Sequence, residues 1–345
     1  MSLINISYKT RRRLTKLGFW LLALLVIAVA VWLVWMLWLS RHVVYTRQGA
    51  HLDFSSSSRD IQGVAAKPQT EKEPVTIYYN EGENTLQSTA EMTQMYGYYI
   101  DGEMLSKDFD GVLRTLRKLP AGTPVLLEVK DVMGRFYYTT SLGTNRKDID
   151  PARVDALINE LVQGDLYSIA RFPAFREYLF AVDNVNFGLS STKGAYLFLD
   201  STRCYWLDPT KNGTMDFVMA QLTEIKNKGF DEVVLADFRF PDSTEYRFSG
   251  DKTQTLISTA KALNQTYGSD RFTLSFEITD MAFTLPEGRS RMYITGITAE
   301  EAKTVAESTT AADKMVNLVF TTPLLDTRFD NYSVLRPITS ARVEE

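Results

Sequence analysis

Four apolar runs in this chain end in ionisable side chains, and any chemistry it performs would lie there. In Pro124–Tyr138 (PVLLEVKDVMGRFYY), alternation puts Glu128 and Lys130 on one face, with Asp131 at the exit. In Ser168–Phe175 (SIARFPAF), Arg171 closes a run just before Pro173. In Gly229–Asp242 (GFDEVVLADFRFPD), Asp237 and Arg239 share a face before Pro241, which cannot continue a ladder. In Arg271–Asp280 (RFTLSFEITD), Ser275 and Glu277 share a face. Carboxylates converging from several strands suit glycosidic-bond hydrolysis, one acting as acid and one as nucleophile or base. A separation of about 5–5.5 Å implies retention and about 6.5–9.5 Å inversion. Asp237, Glu128 and Glu277 are the candidate catalytic residues. Lys130, Asp131, Arg171 and Arg239 would orient a polar ligand, and Trp206 would stack on a sugar ring, with Tyr137, Tyr138 and Tyr205 as weaker candidates. The structural alternative is an ion-pair lattice, Glu128 with Lys130 or Arg171 and Asp237 with Arg239.

The absences are equally informative. The two histidines, His42 and His51, precede the folded region, and Cys204 is the single cysteine. No Ser-His-Asp or Cys-His nucleophile system can be assembled, nor a zinc site of His and Cys ligands. An intrachain disulfide is excluded. Acid–base work falls to Asp, Glu, Lys or Tyr. No glycine-rich fingerprint follows an early strand, so no dinucleotide or P-loop site is expected. The site calls for no cofactor and no metal, although the carboxylates leave calcium or magnesium open.

The elements that must position these residues alternate. Strands are expected at Tyr96–Ile100, Val125–Lys130, Tyr167–Phe172, Ala195–Leu199, Val233–Phe238, Phe272–Ile278, Met292–Thr295 and Val316–Thr321. Helices are expected at Pro151–Val162, Asp216–Lys228, Thr253–Leu263 and Ala299–Ala306. Strands alternating with helices imply a parallel sheet with right-handed crossovers. The expected fold class is α/β. Eight strands over residues 75–345 suit a (β/α)8-type barrel, regular or irregular, with a doubly wound open sheet as the alternative. In a barrel the four charged strand ends would meet at one rim.

Ahead of that body, Leu17–Leu39 runs 23 residues with Gly18 the one member that is not distinctly apolar. About 20 such residues span a bilayer as a helix. Trp20 lies near one end, and Trp32, Trp35 and Trp38 crowd the other. Lys9, Arg11, Arg12, Arg13 and Lys16 precede the span with no acid among them, which predicts a cytoplasmic tail at residues 1–16 and an extracytoplasmic C-terminal domain. A cleaved signal peptide is the rival, but the apolar run continues nine positions past Ala30. Residues 40–74, with Ser55–Ser58 and the polar Lys67–Pro74, read as an extracytoplasmic linker. Without the five basic residues of the tail, 33 basic face 42 acidic residues, which argues against nucleic acid as a partner. The scarcity of cysteine fits a bacterial surface protein of the Gram-positive kind.

The order of segments LLEVKDVMGRFYY, SIARFPAF, Trp206-Leu207-Asp208-Pro209 and GFDEVVLADFRFP resembles the bacterial TIM-barrel family DUF4015, catalogued as glycoside-hydrolase-like. The resemblance covers about residues 95 to 280 and implies a barrel that acts on or recognises a polysaccharide or cell-wall glycan. Lys130, Asp131, Arg171 and Arg239 fall on family positions, and Glu128 replaces an aspartate. An ungapped match puts Ala236 where the family has the aspartate of its "DYvRFP" motif, with Asp237 at the tyrosine. Either a bulge returns Asp237 to the site, or the chain is a carbohydrate-binding relic.

Overall fold

A computed structural model describes residues 43–46, 49–52 and 92–341. The chain divides into two units, residues 1–82 and 83–345. The first unit contains an antiparallel ribbon, Val43–Thr46 paired with Gly49–Leu52, inside the stretch expected as linker. The expected span at residues 17–39, the tail at 1–16 and most of the linker lie outside the described residues. No helix among the described residues is long and apolar enough to cross a membrane.

The second unit is a closed barrel of eight parallel strands in sequential order. They are β1 (Tyr96–Ile100), β2 (Pro124–Glu128), β3 (Tyr167–Pro173), β4 (Glu232–Ala236), β5 (Thr273–Glu277), β6 (Met292–Thr295), β7 (Leu318–Thr321) and β8 (Ser333–Pro337). Closure follows from β8 pairing with β1. Seven of the eight expected strands are present, within two residues at each end. Ala195–Leu199 is not a barrel strand. It lies in the long loop after β3, held by isolated bridges Ser190 to Leu197 and Leu199 to Tyr205. Its aromatic and aliphatic residues satisfy strand propensity, yet Phe198 alone among them is buried while Tyr196 is 59% exposed. The eighth strand, β8, went unseen because an arginine and a proline break its short apolar run.

Helices α1 (Gly102–Lys107), α2 (Phe109–Leu116), α3 (Pro151–Gln163), α4 (Leu179–Asp183), α5 (Asn212–Lys228), α6 (Lys252–Tyr267), α7 (Ala302–Ser308) and α8 (Lys314–Asn317) lie between the strands. Local chemistry sets their ends. Asp150 caps α3 by accepting from Ala152 N, and Pro151 fills its first turn. Asp251 caps α6 through Gln254 N. Gly229 ends α5 at φ +97°, a left-handed conformation that turns the chain into β4 at little steric expense.

Two apolar zones result. The larger one seats helix faces such as Val154, Leu157, Ile158 and Leu161 on the outside of the strands. The smaller one fills the barrel, with Leu126, Ile169, Val234, Tyr293, Val319 and Leu335 each supplied by a different strand. Alternation from these positions carries Glu128, Arg171, Ala236 and Glu277 to the inward face at the C-terminal end. The same alternation carries Glu232, Ser275 and Arg291 inward toward the other end.

Candidate active site at the C-terminal rim

Registers set the rim. Glu128 is opposite Arg171 across β2 and β3. Leu235 is opposite Phe276 across β4 and β5. The Arg171 guanidinium therefore sits between two inward carboxylates. Its Nη1 donates to Glu128 Oε2 at 3.2 Å, and its Nε donates to Glu277 Oε2 at 2.9 Å. The Tyr137 hydroxyl donates to the other Glu128 oxygen. Burial raises the Glu128 pKa above the usual carboxylate range, and Arg171 and Tyr137 oppose that rise without cancelling it.

Asp237 follows β4 directly at φ +46°. A left-handed conformation is uncommon outside glycine, though aspartate tolerates it better than most residues. It turns Asp237 out of the strand's alternation while Ala236 keeps the inward position of the Val234 face. The Asp237 carboxylate lies 3.3 Å from Arg239 Nη2 and 4.0 Å from Arg176 Nη1, and its side chain is 12% exposed. Burial raises its pKa, the charge of Glu277 adds to the rise, and Arg239, Arg176 and Arg171 pull against it. The one-position offset seen in the sequence is thus a backbone kink that keeps the acid beside Glu277 and the arginines.

Behind Asp237, Arg176 and Arg239 lie over the Trp206 ring at 5.8 and 4.9 Å. Trp206 Nε1 donates to Asp200 Oδ2 at 3.0 Å, and Arg176 Nε donates to the same oxygen at 2.9 Å. Asp200 Oδ1 accepts from Thr202 N and Cys204 N, each at 2.9 Å. Burial acts to raise the Asp200 pKa, but the donors from Cys204, Thr202 and Trp206 outweigh it and hold it below the usual range.

Of the residues singled out in the sequence, the fold brings together Glu128, Arg171, Glu277, Asp237, Arg239 and Trp206. Three readings need correction. Lys130 does not share a surface with Glu128: β2 ends at Glu128, and Lys130 is fully buried, ion-paired with Glu177 and packed 4.6 Å over Phe217. Asp131 turns back on its own loop, accepting from Arg135 N and Nε at 2.9 Å each. Trp206 is 2% exposed with an arginine at its ring, so it has no open face for a sugar. The weaker stacking candidates fare alike: Tyr137 and Tyr138 are buried, and Tyr205 stacks on Tyr178 at 5.2 Å.

Arg176, Glu177 and Asp200 were not foreseen. A lysine at the end of a buried strand requires a buried partner, and that requirement was the available signal for Glu177. Gly134, at φ +87°, leaves the room this pair needs: an added Cβ would stand 2.1 Å from Glu177 Oε1. Gly134→Ala is therefore expected to lower stability by about 1–3 kcal/mol. Urea unfolding checks this, and an unchanged midpoint would refute the close packing. A cavity of about 490 Å³ is lined in part by Asp101, Met104, Lys107, Gly111 and Ile338, and the Asp101 charge adds to the rise of the Glu128 pKa. No group of three or more His, Cys, Asp or Glu among the described residues is arranged to hold a metal ion.

The family model DUF4015, described as "Putative glycosyl hydrolase domain", matches residues 97–273, from β1 to the start of β5. The chain belongs to the DUF4015 family. The matched DUF4015 segment supplies Glu128, Arg171, Trp206, Asp237 and Arg239, whereas Glu277 lies just beyond it. No curated protein matches the chain. Among solved structures, a hypothetical protein from Ruminiclostridium thermocellum is 17% identical, with 52% of this chain and 96% of that one covered and a TM-score of 0.44. An α-galactosidase from Lactobacillus brevis is 12% identical, covering 73% and 38%, with a TM-score of 0.46. A GH36 α-galactosidase from Geobacillus stearothermophilus is 10% identical, covering 72% and 39%, with a TM-score of 0.48. This chain thus spans less than two-fifths of either galactosidase. Likeness at this level says nothing of the DUF4015 chain's own substrate.

Proposed function

We propose that this glycosyl-hydrolase-like barrel is held outside a cell membrane by residues 17–39 and hydrolyses a cell-wall or surface polysaccharide at its C-terminal rim. The observation that carries the reading is the left-handed Asp237, which sets a buried carboxyl beside Glu277 and within reach of three arginines. Backbone strain and a raised carboxyl pKa converging on one barrel rim are features of catalytic sites. In this reading Asp237, whose protonated form burial and the Glu277 charge favour, gives its proton to the leaving oxygen. Glu277 is the second carboxylate, and Arg171 orients it against Glu128. The 23-residue apolar run preceded by basic residues supports the anchor and its orientation.

A second reading is favoured by two observations. Ala236 occupies the inward position where the family pattern has its acid, and both Glu128 oxygens are already engaged by Tyr137 and Arg171. In that reading the rim binds glycan without cutting it. Incubating the full chain with wall polysaccharide and assaying new reducing ends separates the two. Product release supports hydrolysis. Retention of glycan with no product over long incubation moves the assignment to the binding module, and neither product nor retention ends both readings.

A further inference from the structure

We propose that Arg239 receives the carboxylate of an acidic sugar residue, so that the glycan bound at this rim is a uronic-acid-containing one. This deepens the hydrolase reading and rests on it for the position of the site.

The argument starts from donor accounting. Arg171 donates to Glu128 and Glu277. Arg176 donates to Asp200 and Thr202. Arg239 makes no hydrogen bond among the described residues; its one polar contact is the 3.3 Å approach of Nη2 to Asp237. Yet its side chain is only 25% exposed. A guanidinium presents five N–H donors in a fixed fork, and groups so far withdrawn from water are normally paired. The guanidinium carbon lies 4.9 Å from the centre of the Trp206 ring, and Asp200 in turn holds the indole through Nε1. The result is a fork with one contact to the candidate acid and no hydrogen bond among the described residues, a donor set that can take a planar carboxylate bidentately.

Charge decides between a monoanion and a dianion. Arg176 is matched by Asp200, and Arg171 is outnumbered by Glu128 and Glu277. Arg239 faces Asp237 alone, and burial favours the protonated form of that carboxyl. With Asp237 protonated the three arginines are just balanced by Glu128, Glu277 and Asp200, so the rim carries no surplus of positive charge and disfavours a phosphate dianion more than a sugar carboxylate.

The test uses the full chain in detergent and the simplest probes: glucuronate and galacturonate against glucose and galactose, with glucose 6-phosphate as a third arm, read by calorimetry or ligand-observed NMR. Uronates are expected to bind at least about tenfold more tightly than the matching hexoses. Arg239→Gln should remove that difference, and Arg239→Lys, which keeps charge but not the fork, should retain part of it. Equal binding of uronate and hexose by the unaltered chain, no uronate binding, or tighter binding of the phosphate would each overturn the proposal. The unaltered chain alone gives those outcomes, so a misfolded variant leaves the test intact. Turnover is not read, so the outcome is independent of hydrolysis: a chain that cuts neutral glycans with no uronate preference would sink this inference and leave the hydrolase reading standing.

Discussion

The Asp237→Asn substitution is expected to lower turnover of any glycan this chain hydrolyses by about 10²–10⁴-fold, the usual contribution of a positioned general acid. The change is nearly isosteric, and asparagine tolerates the left-handed conformation of this position as aspartate does. The loss should therefore be chemical and not a failure to fold. Stability should move the other way. The folded pKa of Asp237 is raised above its unfolded value, so the native state binds more protons in the window between the two. The stability linked to that proton is fully present below the ordinary aspartate pKa and is lost as pH rises through the raised folded value. Asp237→Asn removes this dependence, so the variant should be at least as stable as the unaltered chain at neutral pH, with a flatter stability profile. Glu128 is raised in the same direction, and the slope it contributes should persist in the variant. Reducing-end assays and denaturant unfolding across pH read both effects. Unchanged turnover in a folded Asp237→Asn protein would remove Asp237 from the mechanism.

Arg291→Met is expected to lower stability by about 3–5 kcal/mol, the range for breaking a buried ion pair by removing one partner. Arg291 and Glu232 cross the barrel near the strands' N-terminal ends, and their side chains are 3% and 0% exposed. Glu232 also accepts from Ser275 Oγ at 2.6 Å, from Tyr293 OH at 2.9 Å and from Tyr167 OH at 2.9 Å. Arg291 Nε donates further to Val316 O at 3.2 Å, just ahead of β7. The network thus ties β3, β4, β5 and β6 to the entry of β7. Methionine fills much of the volume but leaves a buried carboxylate without its cation. That carboxylate would take up a proton, so the deficit should shrink as pH falls. The double variant Glu232→Gln with Arg291→Met should recover a large part of the loss. Urea unfolding at neutral and acidic pH is the measurement. A loss under about 1 kcal/mol, typical of an exposed pair, would show that the network does not hold the barrel together.

Much of the barrel was legible in the chain because each strand is short, apolar and closed by a breaker. The start of α3 and the end of α5 were equally clear, since Asp150-Pro151 and Gly229 act through bonds to neighbouring residues, whereas α5 begins at Asn212, four residues before the expected Asp216, and α7 at Ala302, three after the expected Ala299. Strand β8 was not legible, because Arg336 and Pro337 cut its apolar run to Val334 and Leu335, too short to signal a strand locally. Ala195–Leu199 failed for the complementary reason. Its composition fits a strand, yet nothing in the barrel is left to pair with it.

By itself the sequence determined which groups are available for chemistry: carboxylates, arginines and tyrosines at strand ends, with no histidine in the body and a single cysteine. It also determined the family, through the order of its segments, and singled out Asp237 as one position out of place. Tertiary structure decided what those groups do. Registers from β2 through β3 and β4 to β5 placed Arg171 between Glu128 and Glu277. The path of the β3 loop buried Lys130 against Glu177 and enclosed Trp206. A positive φ at Asp237 decided the direction of its carboxyl. Alternation along a strand specifies faces only while the backbone stays extended, and the kink at residue 237 is made where β4 ends and the packing of Phe238 against Phe175 and Phe276 takes over.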